Sequence, residues 1–276
     1  MTLPFYNYFA NGETGENEYA SSSWPGLNIS AYERHIKAQS PRAAQALSSA
    51  VYGGGMIELD RIFNIYVDRH YRCDDPPRDI EQALNEWHEP RDQCAGLLTA
   101  VRLEHTSIQE YTSEEFGLLC CTTAGVSNAA RAGSERTVFD TVGNKKMSSG
   151  RERSAPSARN LTIHPYVPGT INIMLWLNGR MTTGAMVNAV QTAVEAKAAA
   201  LADAGVLDSE NGLPATGTTT DAIVLAVRQA VEEPQSMITY AGTATTAGAA
   251  IGRLVYDTVT ESLQAGLLWK ERIRQK

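Results

Sequence analysis

The residues best able to do chemistry in this chain gather in short runs of small polar side chains. Ala215-Thr216-Gly217-Thr218-Thr219-Thr220-Asp221 sets four threonines and a glycine directly before a carboxylate. Short hydroxyls beside one acid either hold a polar substrate closely or satisfy a tight turn locally, and from this run alone the two readings stand level. A second run, from Thr122 to Gly133, surrounds one amide and one guanidinium with small residues and offers Thr123, Ser127 and Asn128 as hydrogen-bonding groups. Such a composition lines a pocket without filling it. Ser127 and Asn128 would equally cap a short helix that Gly133 ends. A third run, Gly169–Leu177, is apolar apart from Thr170 and Asn172. A buried amide needs partners to offset its desolvation, so Asn172 either locks a neighbouring loop or faces a polar pocket.

Regular elements must position these groups. Gly169–Leu177 has the continuous apolar character of a central strand covered on both faces, and Ala222–Val227 reads as a second buried strand entered directly from Asp221. Were the latter a helix, Asp221 would be explained by the helix dipole alone. Met181–Ala204 is an Ala-rich helix closed by Gly205. At 3.6 residues per turn, Met186, Val190, Ala193, Val194, Ala200 and Leu201 share a stripe with Lys197 near its centre, and Glu195 projects from the opposite side. A lysine there either snorkels to the surface or meets a carboxylate or substrate group in a partly dry site. Glu195 is an ordinary solvated acid unless both sides of the helix are covered.

Earlier in the chain, Met56–Val67, which contains Asn64, suggests a strand or strand pair after Gly53-Gly54-Gly55. That glycine triplet is a turn or bulge, or a backbone wall against a flat ligand. Residues 74–93 suggest a turn and a short helix, Ala95–Leu103 and Phe116–Ala124 a pair of core strands joined as a hairpin, and Thr245–Leu268 a long packed helix. The expected fold is α/β, with α+β as the alternative. It is a single domain with a mixed β-sheet packed by helices from the C-terminal half. Residues 1–42 form an extended lead-in, and 43–276 form the domain, interrupted by a polar insertion at about 134–160 that is either a substrate lid or disordered.

Composition narrows the class of function. The formal net charge of −7 without a basic block argues against nucleic acid as a partner. No apolar window suits a membrane span and the first thirty residues lack a signal-peptide pattern, so a cytoplasmic protein is expected. Cys73, Cys94, Cys120 and Cys121 form no Cys-x-x-Cys pair, and the five histidines are scattered, so no metal site is expected. The common hydrolase-elbow, zinc-protease, Walker and dinucleotide motifs are absent.

The polar runs, with Leu47–Ser49, Gly53–Gly55, Asn64, Glu195-Ala196-Lys197, Ala241-Gly242, Gly248 and Arg253, resemble the adenosylcobinamide amidohydrolase family over about residues 43 to 268. The resemblance implies hydrolysis of the amide between a corrin side chain and aminopropanol. The cobalt corrinoid is then a small-molecule substrate and no cofactor is expected. Among the matched residues, Asp221 or Glu195 would serve as base, Lys197 would stabilise an oxyanion or donate a proton, and Asn128, Asn172 and Thr170 would orient the amide. Asn64, Thr123, Ser127, Thr216 and Thr218 join them as expected substrate-binding groups. A threonine nucleophile among 218–220, with Thr219 the favoured residue, is the competing scheme. A non-catalytic corrinoid-binding protein or an amidase for another amide are the alternatives, and a homo-oligomer is compatible with the sequence.

Overall fold

The computed structural model describes residues 3–136, 169–229 and 236–275, with two short backbone strands between the first two stretches. In chain order the elements are α1 (Tyr6–Ala10), β1 (Glu18–Ala20), β2 (Asn28–Tyr32), β3 (His35–Ser48), β4 (Gly55–Tyr66), α2 (Pro76–Glu86), β5 (Cys94–Thr99), β6 (Ser107–Thr112), β7 (Gly117–Ala124) and β8 (Ala129–Ala130). They continue with β9 (Val138–Phe139), β10 (Lys146–Met147), β11 (Ile171–Asn178), β12 (Arg180–Met181), α3 (Thr183–Asp203), β13 (Gly217–Thr218), β14 (Ala222–Val227), β15 (Met237–Ile238) and α4 (Thr246–Arg274).

One mixed sheet runs in the order β1-β2-β3-β14-β11-β7-β6, with β4 and then β5 added along β3. Strand β3 is the pivot. Its first half pairs with β2, its second half pairs with β14, and β4 accompanies both. Its register against β4 slips between Gln39 and Ala44, where Pro41 interrupts the ladder; a proline without an N–H is accommodated at such an irregularity. The sheet thereby curls onto itself. Ala38, Leu59, Ile62 and Leu97 share one core with Leu119, Cys121, Met174, Trp176 and Val224.

Alternation along β11 divides the molecule into layers. Met174 and Trp176 point into the space between the two halves of the sheet, while Ile173, Leu175 and Leu177 point to the face covered by α3 and α4. On the outer side of β4, Phe63 and Ile65 pack against Ile80, Ala83 and Leu84 of α2. The helices start where the sequence supplies caps. The Thr182 hydroxyl accepts from Ala185 N (3.1 Å) and that of Thr245 from Gly248 N (3.0 Å), each cap contributing about 1 kcal/mol. This is a single α/β domain with helices from the C-terminal half packed on a mixed sheet, as the sequence suggests.

Several expectations change. Residues 28–42, read as part of an extended lead-in, are strands of the sheet, with Ile29, Ala31, Ile36 and Ala38 fully buried. Ala95–Leu103 and Phe116–Ala124 do not pair: β5 runs parallel to β4, and β7 makes its hairpin with β6, built from the polar segment between them. Ile108 supplies the apolar contact that makes β6 a strand. On α3 the sheet-facing side is set by Ala185, Ala189, Ala193 and Ala200, which let the helix approach closely, and Val194 is exposed. The polar insertion expected at about 134–160 lies almost entirely outside the described residues. Among those described, no helix is long and apolar enough to cross a membrane.

Candidate active site

Asp221 stands one residue before β14, where the chain enters the buried ladder beside β11. Its Oδ1 accepts from Ile171 N (3.0 Å) and from the Thr218 hydroxyl (2.5 Å). Its Oδ2 accepts from Thr218 N (3.0 Å) and from Lys197 Nζ, which reaches it from α3. The two charged side chains are 8% and 11% exposed, so the ion pair sits in a nearly dry seam between helix and sheet. Lys197 therefore meets a carboxylate and does not snorkel. Gly217 makes this closeness feasible, because a β-carbon at that position would run into both Asp221 and Lys197.

A carboxylate has about four acceptor positions, and four donors fill those of Asp221. No position remains for a water or a substrate N–H. Whatever Asp221 does in chemistry, it does through one of these partners, and the Thr218 hydroxyl is the one that can act as a nucleophile.

The neighbouring hydroxyls are held differently. Thr220 Oγ1 donates to Gly169 O (2.9 Å), and Thr170 Oγ1 donates to Thr220 O (2.7 Å). The exposed Thr219 accepts at Oγ1 from Asn128 Nδ2 (2.7 Å), which leaves its own O–H free to donate outward. Thr216 serves the framework: its hydroxyl accepts from Ala132 N (2.9 Å) beside the two-residue ladder that joins β13 to β8. Ser127 is exposed next to Asn128. The Oδ1 of Asn128 is buried against Gly169 and has no hydrogen-bond partner among the described residues.

Beneath this layer lies a buried amide network. Asn172 Nδ2 donates to Asn64 Oδ1 and to Leu98 O (both 2.8 Å), and Asn64 Nδ2 donates to Thr123 Oγ1 (2.9 Å). Asn64 and Thr123 are fully buried, so they hold Asn172 and tie β4 and β5 to β11 and β7. Asn172 alone of the three reaches a small cleft of about 80 Å³ at the open edge between the two halves of the sheet. Gly169, Thr170 and Thr220 also line that cleft. Its other wall, Val51, Val67, Tyr71, Leu97, Leu98 and Ala100, went unnoticed in the sequence because apolar residues at strand ends look like any other core.

Two expected participants stand apart. Glu195 is exposed on α3 and does not join Lys197 and Asp221. The Gly53–Gly55 triplet is a turn after β3; Gly53 adopts φ +69° and lies against the Cys94 carbonyl, packing the turn across to β5. Burial pushes the Cys120 thiol up to about 11, so this cysteine is a neutral core group with no nucleophilic role at neutral pH. Among the described residues no group of three His, Cys, Asp or Glu could hold a metal ion.

The sequence profile of the adenosylcobinamide amidohydrolase family matches residues 23–269. The chain belongs to this family. An adenosylcobinamide amidohydrolase of Methanosarcina mazei is 29% identical over 229 residues, covering 81% of this chain and 90% of that one. The Halobacterium salinarum protein of the same name is 29% identical over 218 residues, covering 79% of each. A Burkholderia sp. beta-aminopeptidase structure aligns over 91% of this chain and 88% of its own, with a TM-score of 0.41 and 11% identity, a likeness too distant to bear on chemistry. Membership of an amidohydrolase family makes this chain a hydrolase, and the segment from Gly217 to Asp221 is where the structure collects a hydroxyl, a carboxylate and an ammonium.

Proposed function

We propose that this protein hydrolyses the amide joining the corrin side chain to aminopropanol in adenosylcobinamide, releasing adenosylcobyric acid and 1-amino-2-propanol. The observation that carries this reading is the Thr218–Asp221–Lys197 chain beside the cleft. Of the three consecutive threonine hydroxyls only that of Thr218 faces a carboxylate; Thr219 faces an amide and Thr220 a carbonyl. Thr218 Oγ1 attacks the amide carbon and its proton passes to Asp221. The departing amine takes that proton as the C–N bond breaks, and water then cleaves the resulting ester to free the carboxylic acid and restore the hydroxyl. Lys197 compensates the charge of Asp221 in the dry seam and fixes which oxygen faces Thr218. In this scheme the O–H of Thr219, whose oxygen accepts from Asn128, donates to the developing oxyanion. Thr170, Thr220 and Asn172 hold the substrate at the cleft margin. Neither Glu195 nor a metal ion enters this scheme.

The products suit return of a salvaged corrinoid to cobalamin synthesis, and we place the reaction in the cytoplasm. Incubation with adenosylcobinamide, with free 1-amino-2-propanol followed by mass spectrometry, tests the reading. Release above the uncatalysed background is expected. Tight binding of the corrinoid with no release would replace the enzyme by a corrinoid-binding protein.

A further inference from the structure

We propose that the cleft beside Thr218 is the subsite for the amine half of the scissile amide, and that it selects a small neutral amine. The assignment rests on the amide-hydrolysis reading above. The hydroxyls of Thr218 and Thr220 converge on one carbonyl, Gly169 O, at 3.4 and 2.9 Å, so the reacting hydroxyl adjoins the polar margin formed by Gly169, Thr170 and Thr220. An amide lying across Thr218 sends one half into the cleft and the other half away from it. A cleft of about 80 Å³ lies well below the size that encloses a drug-sized ligand, so it has room for a small amine and none for a corrin macrocycle with its peripheral side chains. The half that enters is therefore the amine.

The lining sets what that amine can be. Beyond the polar margin the walls are mostly apolar, with Val51, Val67, Leu97 and Leu98 joined by the neutral Cys73 and by Thr99, whose Oγ1 accepts from Val101 N (3.1 Å). The Tyr71 hydroxyl, which could otherwise offer a polar contact, donates to Asp79 (2.5 Å). Among the described residues that line the cleft there is no lysine or arginine. An amine bearing a carboxylate would lose its hydration there and gain no cation in exchange, whereas a branched amino alcohol sets its methyl on the apolar wall and its hydroxyl at the threonine margin.

The test uses three amides of one adenosylcobyric acid, made with 1-amino-2-propanol, with 2-aminoethanol and with threonine. Wild-type protein should show kcat/KM about tenfold lower for the aminoethanol amide, which lacks the methyl, and at least about 100-fold lower for the threonine amide, which carries a carboxylate. Val67→Lys, placing a cation on the half-buried wall, should shift the preference toward the threonine amide by about tenfold or more relative to wild type. Equal kcat/KM for all three amides with wild type would overturn the subsite assignment and leave the amidase reading standing, as would an unchanged preference in a Val67→Lys protein that melts like wild type. No hydrolysis of the parent aminopropanol amide would remove the amidase reading and the subsite with it.

Discussion

Asp221 joins a nucleophile candidate to a buried cation, and each contact has its own consequence when cut. Asp221→Asn replaces the proton acceptor by an amide of the same shape but leaves Lys197 without its counter-ion, so kcat should fall by at least about 100-fold in protein still folded by circular dichroism, with a stability cost like that of removing the lysine. Lys197→Met leaves a nearly dry carboxylate without its counter-ion and should cost about 3–5 kcal/mol of stability in urea unfolding. A cost below about 1 kcal/mol would show that the pair is better solvated than its exposure indicates. At position 218 the hydroxyl can be separated from the side chain's volume. Thr218→Ser should retain measurable turnover and Thr218→Val should have none, whereas equal activity of the two would move the nucleophile to a neighbouring threonine or to water.

The elements around the site were legible in the sequence to different degrees. Ile171–Asn178, Ala222–Val227 and the two long helices carry continuous apolar runs or 3.6-residue periodicity, which depend only on local residues. Strand pairing was not legible, because β5 could join β4 or β7 on composition alone, and the choice is made by α2 covering Phe63 and Ile65. Residues 28–39 read as a lead-in because Asn28, Ser30, Lys37 and Gln39 break up the apolar positions that bury Ile29, Ala31, Ile36 and Ala38. Within the candidate site, the three polar runs were visible and do converge at one end of the sheet, while the division of labour among them was not. Asn64 and Thr123 turn out to lie behind Asn172. Asn64→Leu should therefore destabilise the protein by about 1–3 kcal/mol by orphaning the Thr123 hydroxyl and one Asn172 bond, with a larger effect on stability than on KM. A large rise in KM at unchanged stability would return Asn64 to the substrate.

At the scale of the whole molecule, the curled sheet places α2 on one side and α3 with α4 on the other, and the mouth between the sheet's halves holds the cleft. One titratable group built into this packing makes stability depend on pH. His35 is stacked between Tyr32 and Trp87, and burial, reinforced by Lys37 and Arg34, pushes its pKa down to about 3. Unfolded histidine titrates near about 6.5, so its contribution is fully present above that value and is lost progressively as pH falls toward 3, because the unfolded chain takes up the proton first. Between pH 6.5 and 5, wild type should lose about 1.5 kcal/mol more stability than His35→Phe in parallel urea titrations. Identical losses would mean that His35 is open to protonation in the folded protein.

Hydrolysis of a corrinoid amide by the Thr218 hydroxyl and the Asp221 carboxylate is the reaction proposed for this fold. Its most direct test is release of 1-amino-2-propanol from adenosylcobinamide by wild type and by Thr218→Val, with corrinoid binding measured on the same samples. Wild type alone should release the amine, and both proteins should bind the corrinoid comparably. Release by Thr218→Val at the wild-type rate, or binding by wild type without release, would contradict this mechanism.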